Sequence, residues 1–241
     1  MEHTAEYYYE QSEEKWKKHD AVGSFAALGE AIRLDPTNTY YLWERGLRHS
    51  FREERELSEK DFTRIIELSS DLDEIAKARW HRAVCYELLA WPDDLFRDLT
   101  WIIENDKGDE DTYIWRGNCH LRAKRYGEAI ADFSTALELS PQAGMALWRR
   151  AQINFHLGGY EEALQDLTRL VAIADKDNPL DSNTIYTTRS VCFYRLNRYV
   201  DALDDFNRVR EIVGEPTISD LSSEKAFFEG YYFNFQQMRG P

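Results

Sequence analysis

The chain repeats itself every 34 residues, and this period limits what it can fold into. The unit is clearest between Glu110 and Ala143, where two amphipathic segments are predicted to be helices, roughly Asp111–Lys124 and Gly127–Leu139. Pro141 closes the unit, because proline cannot continue a helix. A period of this length is typical of arrays of helical hairpins, in which each hairpin buries its apolar face against the next.

The same register holds along most of the chain. Without internal gaps, the repeats cover residues 5–38, 39–72, 76–109, 110–143, 144–177 and 183–216. Their eighth position is small in every case: Ser12, Gly46, Ala83, Gly117, Ala151 and Ser190. Their twenty-fourth position is bulky and apolar: Leu28, Phe62, Leu99, Phe133, Leu167 and Phe206. A small residue facing a large one is what two closely packed helices require.

In these columns the chain resembles the tetratricopeptide repeat (TPR) family. The resemblance covers about residues 5–238 and implies an all-α fold, a right-handed α-solenoid of six helix-turn-helix repeats. After Pro216 a seventh repeat begins, but only its first helix is predicted, over residues 223–238, with Ser222 or Ser223 as N-cap. We interpret this segment as a C-terminal capping helix, because a solenoid must cover its last apolar face.

The net charge of the chain indicates which classes of partner it can bind. The chain carries 44 acidic and 30 basic residues, a net charge of −14. Nucleic-acid binding relies on lysine and arginine, so a nucleic-acid partner is not expected. No apolar run reaches the length of a membrane span, and the first ten residues do not resemble a signal peptide. We therefore expect an acidic cytoplasmic protein with no membrane partner.

Arginine at position 7 and aspartate at position 23 occur together in five consecutive repeats. The pairs are Arg45 and Asp61, Arg82 and Asp98, Arg116 and Asp132, Arg150 and Asp166, and Arg189 and Asp205. In the first repeat both are absent, as Gln11 and Ala27. Joint presence and joint absence predict that each pair touches, within a repeat or between neighbours, through the two parallel hydrogen bonds of a guanidinium and a carboxylate. We interpret these as structural pairs, because a paired arginine is poorly available to a ligand.

The resemblance implies that the first helices line a concave groove, mainly through positions 2, 5, 6, 9, 12 and 13. Five of the seven tryptophans fall in these columns. The candidate groove residues are Tyr9, Trp43, Trp80, Trp115, Asn118, Arg122, Trp148, Arg149, Phe155, Tyr194 and Arg195. One interpretation is that the aromatic rings only thicken the core between neighbouring helices. The other is an aromatic-lined channel for a peptide or helix, since tryptophan and tyrosine dominate binding hot spots.

Charge along this groove is graded. Acidic residues come first, as Glu6, Glu10, Glu13 and Glu44, and basic ones later, as Arg122, Arg149, His156 and Arg195. This gradient would orient a ligand with a basic and an acidic end, unless it is scattered solvated charge. The family's carboxylate clamp for chaperone tails is matched only by Asn118, so a co-chaperone role is not expected.

Motifs for catalysis, cofactors or metals are not found in the sequence. The predicted function is therefore a non-catalytic protein-interaction scaffold that binds a peptide or helical segment of a partner, with no cofactor and no metal. One alternative is an acidic inhibitor or immunity-type protein that neutralises a basic toxin or nuclease. Another is self-association, as a homodimer through the aromatic C-terminal helix.

Overall fold

The structure, a computed structural model, describes residues 3–90, 92–173 and 182–231. Over these residues the chain is all-α, with thirteen α-helices and no strand. The helices divide into two compact units, Met1–Gly108 and Asp109–Pro241.

Unit 1 contains three helical hairpins. They are α1 (Ala5–Lys17) with α2 (Ala21–Leu34), α3 (Thr39–Phe51) with α4 (Arg55–Leu68), and α5 (Leu72–Leu89) with α6 (Pro92–Glu104). Helix α5 is longer than the repeat template predicts, because the inserted residues Asp73–Ile75 extend it by a turn. The carboxylate of Asp71 caps this extension by accepting the backbone N–H of Asp73 at 2.9 Å.

Unit 2 contains three more hairpins and a short terminal helix. They are α7 (Glu110–Arg122) with α8 (Tyr126–Leu139), α9 (Gly144–His156) with α10 (Tyr160–Ile173), α11 (Ser182–Arg195) with α12 (Tyr199–Val213), and α13 (Lys225–Gly230). Helices α7 and α8 lie within two residues of the helices that the repeat template predicts.

The terminal helix begins and ends at other residues than the sequence predicts. Ser222–Glu224 form a 3₁₀ turn, and neither serine caps α13, which begins at Lys225. The backbone N–H of Ser222 donates to the Asp220 carboxylate at 2.8 Å, and the Ser222 hydroxyl donates to the same oxygen, so neither group serves the helix. The helix ends because Tyr231 takes an extended conformation, with ψ of 116°. Residues 232–238 of the predicted helix lie outside the described residues.

Each hairpin turns at a residue with a left-handed backbone. This residue is the fifteenth of its repeat, with φ between 59° and 82°: His19, Glu53, Ala90, Lys124, Gly158 and Asn197. Only Gly158 adopts this conformation without steric cost, since a Cβ disfavours the left-handed region by about 1 kcal/mol. The turn geometry is therefore imposed by helix packing, because the residues at this position have little in common.

The core lies between the two helices of each hairpin, where small residues face large ones. A Cβ added to Gly117 would lie 2.9 Å from Cε1 of Phe133, and one added to Gly46 would lie 3.3 Å from Phe62. Both phenylalanines are fully buried.

The described cysteines are free thiols, with Cys85 and Cys192 buried and Cys119 half-buried.

We expect Gly117→Ala to lower the free energy of unfolding by about 1–3 kcal/mol, because Phe133 has no room to move away from the added methyl group. The control is Gly127→Ala in the next helix, where an added Cβ meets nothing within 4 Å. Alanine should stabilise that helix by up to about 1 kcal/mol. Urea denaturation of both variants checks this, and equal effects would contradict the close packing at Gly117.

Candidate functional site

The structure brings together the arginine and aspartate of all five repeats that carry them. In each hairpin the arginine Nε and Nη2 donate to the two carboxylate oxygens of the aspartate, at distances from 2.6 to 2.9 Å. The two residues belong to the two helices of the same hairpin, and every one of these aspartates is buried. Such a bidentate contact holds both side chains in a fixed relative orientation.

Two of these arginines also reach the preceding hairpin. Nη1 of Arg82 donates to the Thr63 hydroxyl at 3.0 Å, and Nη1 of Arg150 donates to the Ser134 hydroxyl at 2.8 Å. Each of the three guanidinium nitrogens of Arg82 and of Arg150 therefore has an acceptor inside the protein.

The first helices of the hairpins form one side of each unit, which we call the first-helix face. In unit 1 this face contains a cavity of about 790 Å³ between α1 and α3. Trp16 and Phe51 are its aromatic walls, 6.0 Å apart in an edge-to-face arrangement, and Phe51 is 81% exposed. A single exposed apolar side chain is common at protein surfaces, and Phe51 is a candidate because it continues the apolar wall that Trp16 forms in the cleft.

Arg48 organises the floor of this cavity, and it is a residue that the sequence analysis missed. It is 4% exposed, and its Nη1 donates to the hydroxyls of Ser12 and Ser24 at 2.6 and 2.7 Å. Its Nη2 donates to the carboxylates of Glu13 and Glu44. A departure from the repeat pattern could have identified it. Arg48 occupies the tenth position of its repeat, where three other repeats have the small residue cysteine.

Because Arg48 is bonded to both carboxylates, the acidic end that we predicted for the groove is partly neutralised here. The Arg48 guanidinium also lies 5.1 Å from the centre of the Trp16 ring, a cation–π distance. This end of the face is therefore mainly an aromatic cleft, whose lining has Glu13 and Glu44 as acidic groups and Lys17, Arg48 and Arg52 as basic ones.

The other candidates in unit 1 are half-buried. The Tyr9 hydroxyl lies 2.9 Å from the Tyr40 hydroxyl, and burial raises the pKa of the Tyr9 phenol above its ordinary value. Trp43 meets Phe62 edge-on, with ring centres 5.4 Å apart. Trp80 is half-buried in α5. These rings contribute to packing between helices, and part of each remains at the surface.

In unit 2 the candidates differ in exposure. Trp115 and Asn118 in α7 are half-buried and Arg122 is exposed. Trp148 and Phe155 in α9 are only 7% and 5% exposed and belong to the hydrophobic core of the unit. Both rings therefore pack in the core, as the first of the two interpretations has it, and their contact with a partner stays a prediction. A periodic pattern identifies the helix face and not what covers it.

The last two candidates, in α11, are covered by the terminal helix. The ring of Tyr194 stacks on that of Phe228, with centres 4.6 Å apart and planes at 13°. Nη2 of Arg195 donates to the backbone carbonyl of Glu229 at 2.9 Å. The chain itself therefore occupies this part of the first-helix face.

Arg149 and Arg150 are adjacent in sequence and have opposite environments. Arg150 is held by Asp166, and this hydrogen bond raises the pKa of Arg150. For Arg149, burial and the positive charge of Arg122 lower the pKa of the guanidinium. Its buried Nε has no hydrogen-bond partner among the residues that the structure describes. A buried donor of this kind is costly unless a water or a ligand accepts its hydrogen bond.

Metal-ligating side chains do not gather in groups of three or more within the described ranges. Over the same ranges, no helix is both long and apolar enough to cross a membrane.

Comparison with known proteins places this arrangement in a class. The fold aligns with the crystal structure of YrrB, described as a TPR protein with an unusual peptide-binding site. The TM-score is 0.63 and the sequence identity is 14%, and the alignment covers 77% of this chain and 92% of that one. A tetratricopeptide repeat protein from Parabacteroides merdae aligns with a TM-score of 0.60 and 20% identity, covering 85% and 78%. The fold is therefore an all-α solenoid.

Sequence comparison matches part of the chain to a known family. The tetratricopeptide repeat family model matches residues 99–144 and 116–179. A stretch of 77 residues is 32% identical to protein SGT1 homolog of Bos taurus, covering 32% of this chain and 23% of that protein. The chain spans less than a quarter of the length of the curated relatives that it matches. Residues 99–179 of this chain therefore carry tetratricopeptide repeats, a fold that supports protein-interaction scaffolds.

We expect Arg149→Met and Arg150→Met to affect stability in opposite ways. Arg150→Met leaves the buried Asp166 carboxylate without its partner and should lower the free energy of unfolding by roughly 3 kcal/mol. Arg149→Met removes a desolvated guanidinium and should be neutral or raise that free energy by less than about 1 kcal/mol. Urea denaturation of the two variants checks this, and an equally large loss in Arg149→Met would show that Arg149 has a structural role.

Proposed function

We propose that this chain is a non-catalytic interaction scaffold that binds a peptide or helical segment of a partner protein on the first-helix faces of its two units. The observation that carries the proposal is the open aromatic cleft in unit 1, with Phe51 81% exposed at its edge. A cavity of about 790 Å³ has room for one or two side chains of a ligand.

The chemistry of the cleft defines what would fit there. Trp16 and Phe51 offer apolar ring faces and edges, and the charged groups of the lining are of both signs, Glu13 and Glu44 against Lys17, Arg48 and Arg52. An apolar or aromatic side chain of the partner matches this combination.

Unit 2 offers a complementary anchor. Arg149 has an unsatisfied buried Nε, and Arg122 adds positive charge beside it. A carboxylate or carbonyl group of the partner would satisfy the donor and relieve the repulsion between the two guanidinium groups. In a chain with a net charge of −14, such a locally positive site discriminates between partners.

The remaining expectations belong to the same proposal. Half-buried Trp43, Trp80 and Trp115 would add contact area, and Tyr9 and Asn118 would supply polar contacts. We propose a cytoplasmic protein partner and neither a nucleic acid nor a membrane, because the acidic surface repels phosphate groups.

The direct test is Phe51→Ala in the full chain. The partner is first captured from native lysate with the unmodified protein, and its affinity is then measured by calorimetry. We expect Phe51→Ala to weaken binding by about 2 kcal/mol, as at a binding hot spot, and to leave the melting temperature unchanged because the ring is exposed.

Val22→Ala is the matched control, since Val22 in α2 is also 81% exposed but lies outside the cleft. It should bind as the unmodified chain does. Equal affinities for all three proteins, together with a steep loss of affinity in salt, would contradict the proposal and favour a charge-driven inhibitor of a basic protein. Trp148→Ala is not a suitable test, because this buried ring contributes to stability.

A further inference from the structure

The last described residues of the chain bind to its own unit 2 in the way a short peptide ligand would. Phe228 in α13 is 0% exposed. One neighbour of its ring is Tyr194 in α11, at 4.6 Å between ring centres, and another is Phe206 in α12, at 5.3 Å. A single aromatic side chain therefore fills a pocket between two helices.

Tyr231 extends this contact to a second hairpin. Its ring meets that of Phe155 edge-on at 6.0 Å between centres, and Phe155 belongs to α9. The Tyr231 hydroxyl also lies close to that of Thr188 in α11. Because α9 and α11 are the first helices of neighbouring hairpins, a residue that contacts both lies on the first-helix face.

The backbone of the segment is also recognised. Nη2 of Arg195 donates to the carbonyl of Glu229, midway between the two aromatic anchors. Arg195 also has a buried Nε without a partner in the described part of the chain, so its guanidinium is only partly satisfied by this contact. Two aromatic anchors and a polar contact between them are features of a peptide bound in a groove.

Helix α13 is too weak to be a permanent part of the fold by its own propensity. It has six residues and begins from a 3₁₀ turn without a side-chain cap. Isolated helices of this length are unstable in water, so its order depends on Phe228 and Tyr231. Its residues Lys225, Ala226, Glu229 and Gly230 are exposed. Segments with so few buried contacts open at low free energy.

We propose that Lys225–Tyr231 is an intramolecular ligand that competes with partners for the first-helix face of α9 and α11. The partner segment that replaces it would carry two aromatic side chains three residues apart, as Phe228 and Tyr231 are. This inference rests on the proposed function, since it names the competitor and the ligand class for the same kind of surface.

The experiment uses the full chain and a labelled synthetic peptide of residues 222–231. The unmodified protein keeps its own segment in place, so it should bind the peptide weakly. In the Phe228→Ala/Tyr231→Ala variant the face is vacated, and we expect the peptide to bind at least tenfold more tightly by fluorescence anisotropy. A peptide with Phe228→Ala should not bind either protein.

A second variant controls for the case in which the double variant does not fold. Tyr231→Ala keeps the buried Phe228, so the fold is retained, and it should show a smaller increase in peptide affinity than the double variant. Adding Arg195→Gln to the double variant should weaken peptide binding again, because the donor to the Glu229 carbonyl is lost. Circular dichroism should show that each variant keeps helices α1–α12, with a loss of no more than the six residues of α13.

The proposal is overturned if Tyr231→Ala or the folded double variant binds the peptide no better than the unmodified chain, since the segment is then a fixed cap. It is also overturned if sedimentation shows a dimer of the unmodified chain that the double variant lacks, since the segment then docks on a second copy. The peptide comes from the chain itself, so these outcomes are independent of the partner and of the Phe51→Ala test in unit 1.

Discussion

Five of the six hairpins that the structure describes share one repeated contact, the bidentate pair between an arginine of the first helix and a buried aspartate of the second. The pair occurs in five hairpins with nearly the same distances. A buried carboxylate is tolerated only when its charge and its lone pairs are satisfied, so the arginine must take one particular position. That requirement aligns the helices and places the small eighth residue against the large twenty-fourth.

Hydrogen bonding to a carboxylate also distinguishes the arginines that hold the hairpins together from those that we propose for partner binding. Arg150 has its acceptor inside the protein, whereas the neighbouring Arg149 has a buried donor without one among the described residues. Arg48 is intermediate, because it organises a cleft through internal contacts and also exposes its carboxylate partners to a ligand. Charged residues of one type therefore differ in role according to whether the fold supplies their partner.

Much of the fold could be predicted from the sequence, and less of the candidate site. The period of 34 residues and the small and large columns predicted an all-α solenoid of helical hairpins, which is confirmed, and the tetratricopeptide repeat model matches residues 99–144 and 116–179. The tryptophan column identified a helix face, but Trp43 and Trp80 are half-buried while Trp148 belongs to the core. The exposure of a side chain depends on which segments cover its helix face, and those segments lie far away in the sequence. The cleft around Arg48 escaped prediction for the same reason, since its lining comes from two hairpins.

The sequence by itself determined the features that depend on spacing along one helix or between two helices of a hairpin. These are the helical hairpins and the columns that pack them. Only the tertiary structure decided the left-handed turn at the fifteenth position, where His19, Glu53, Ala90 and Lys124 share a conformation that none of them prefers. It also decided that Phe228 and Tyr231 lie on the face where a partner was expected. The physical reason is that local preferences amount to about 1 kcal/mol per residue, and contacts between distant segments outweigh them.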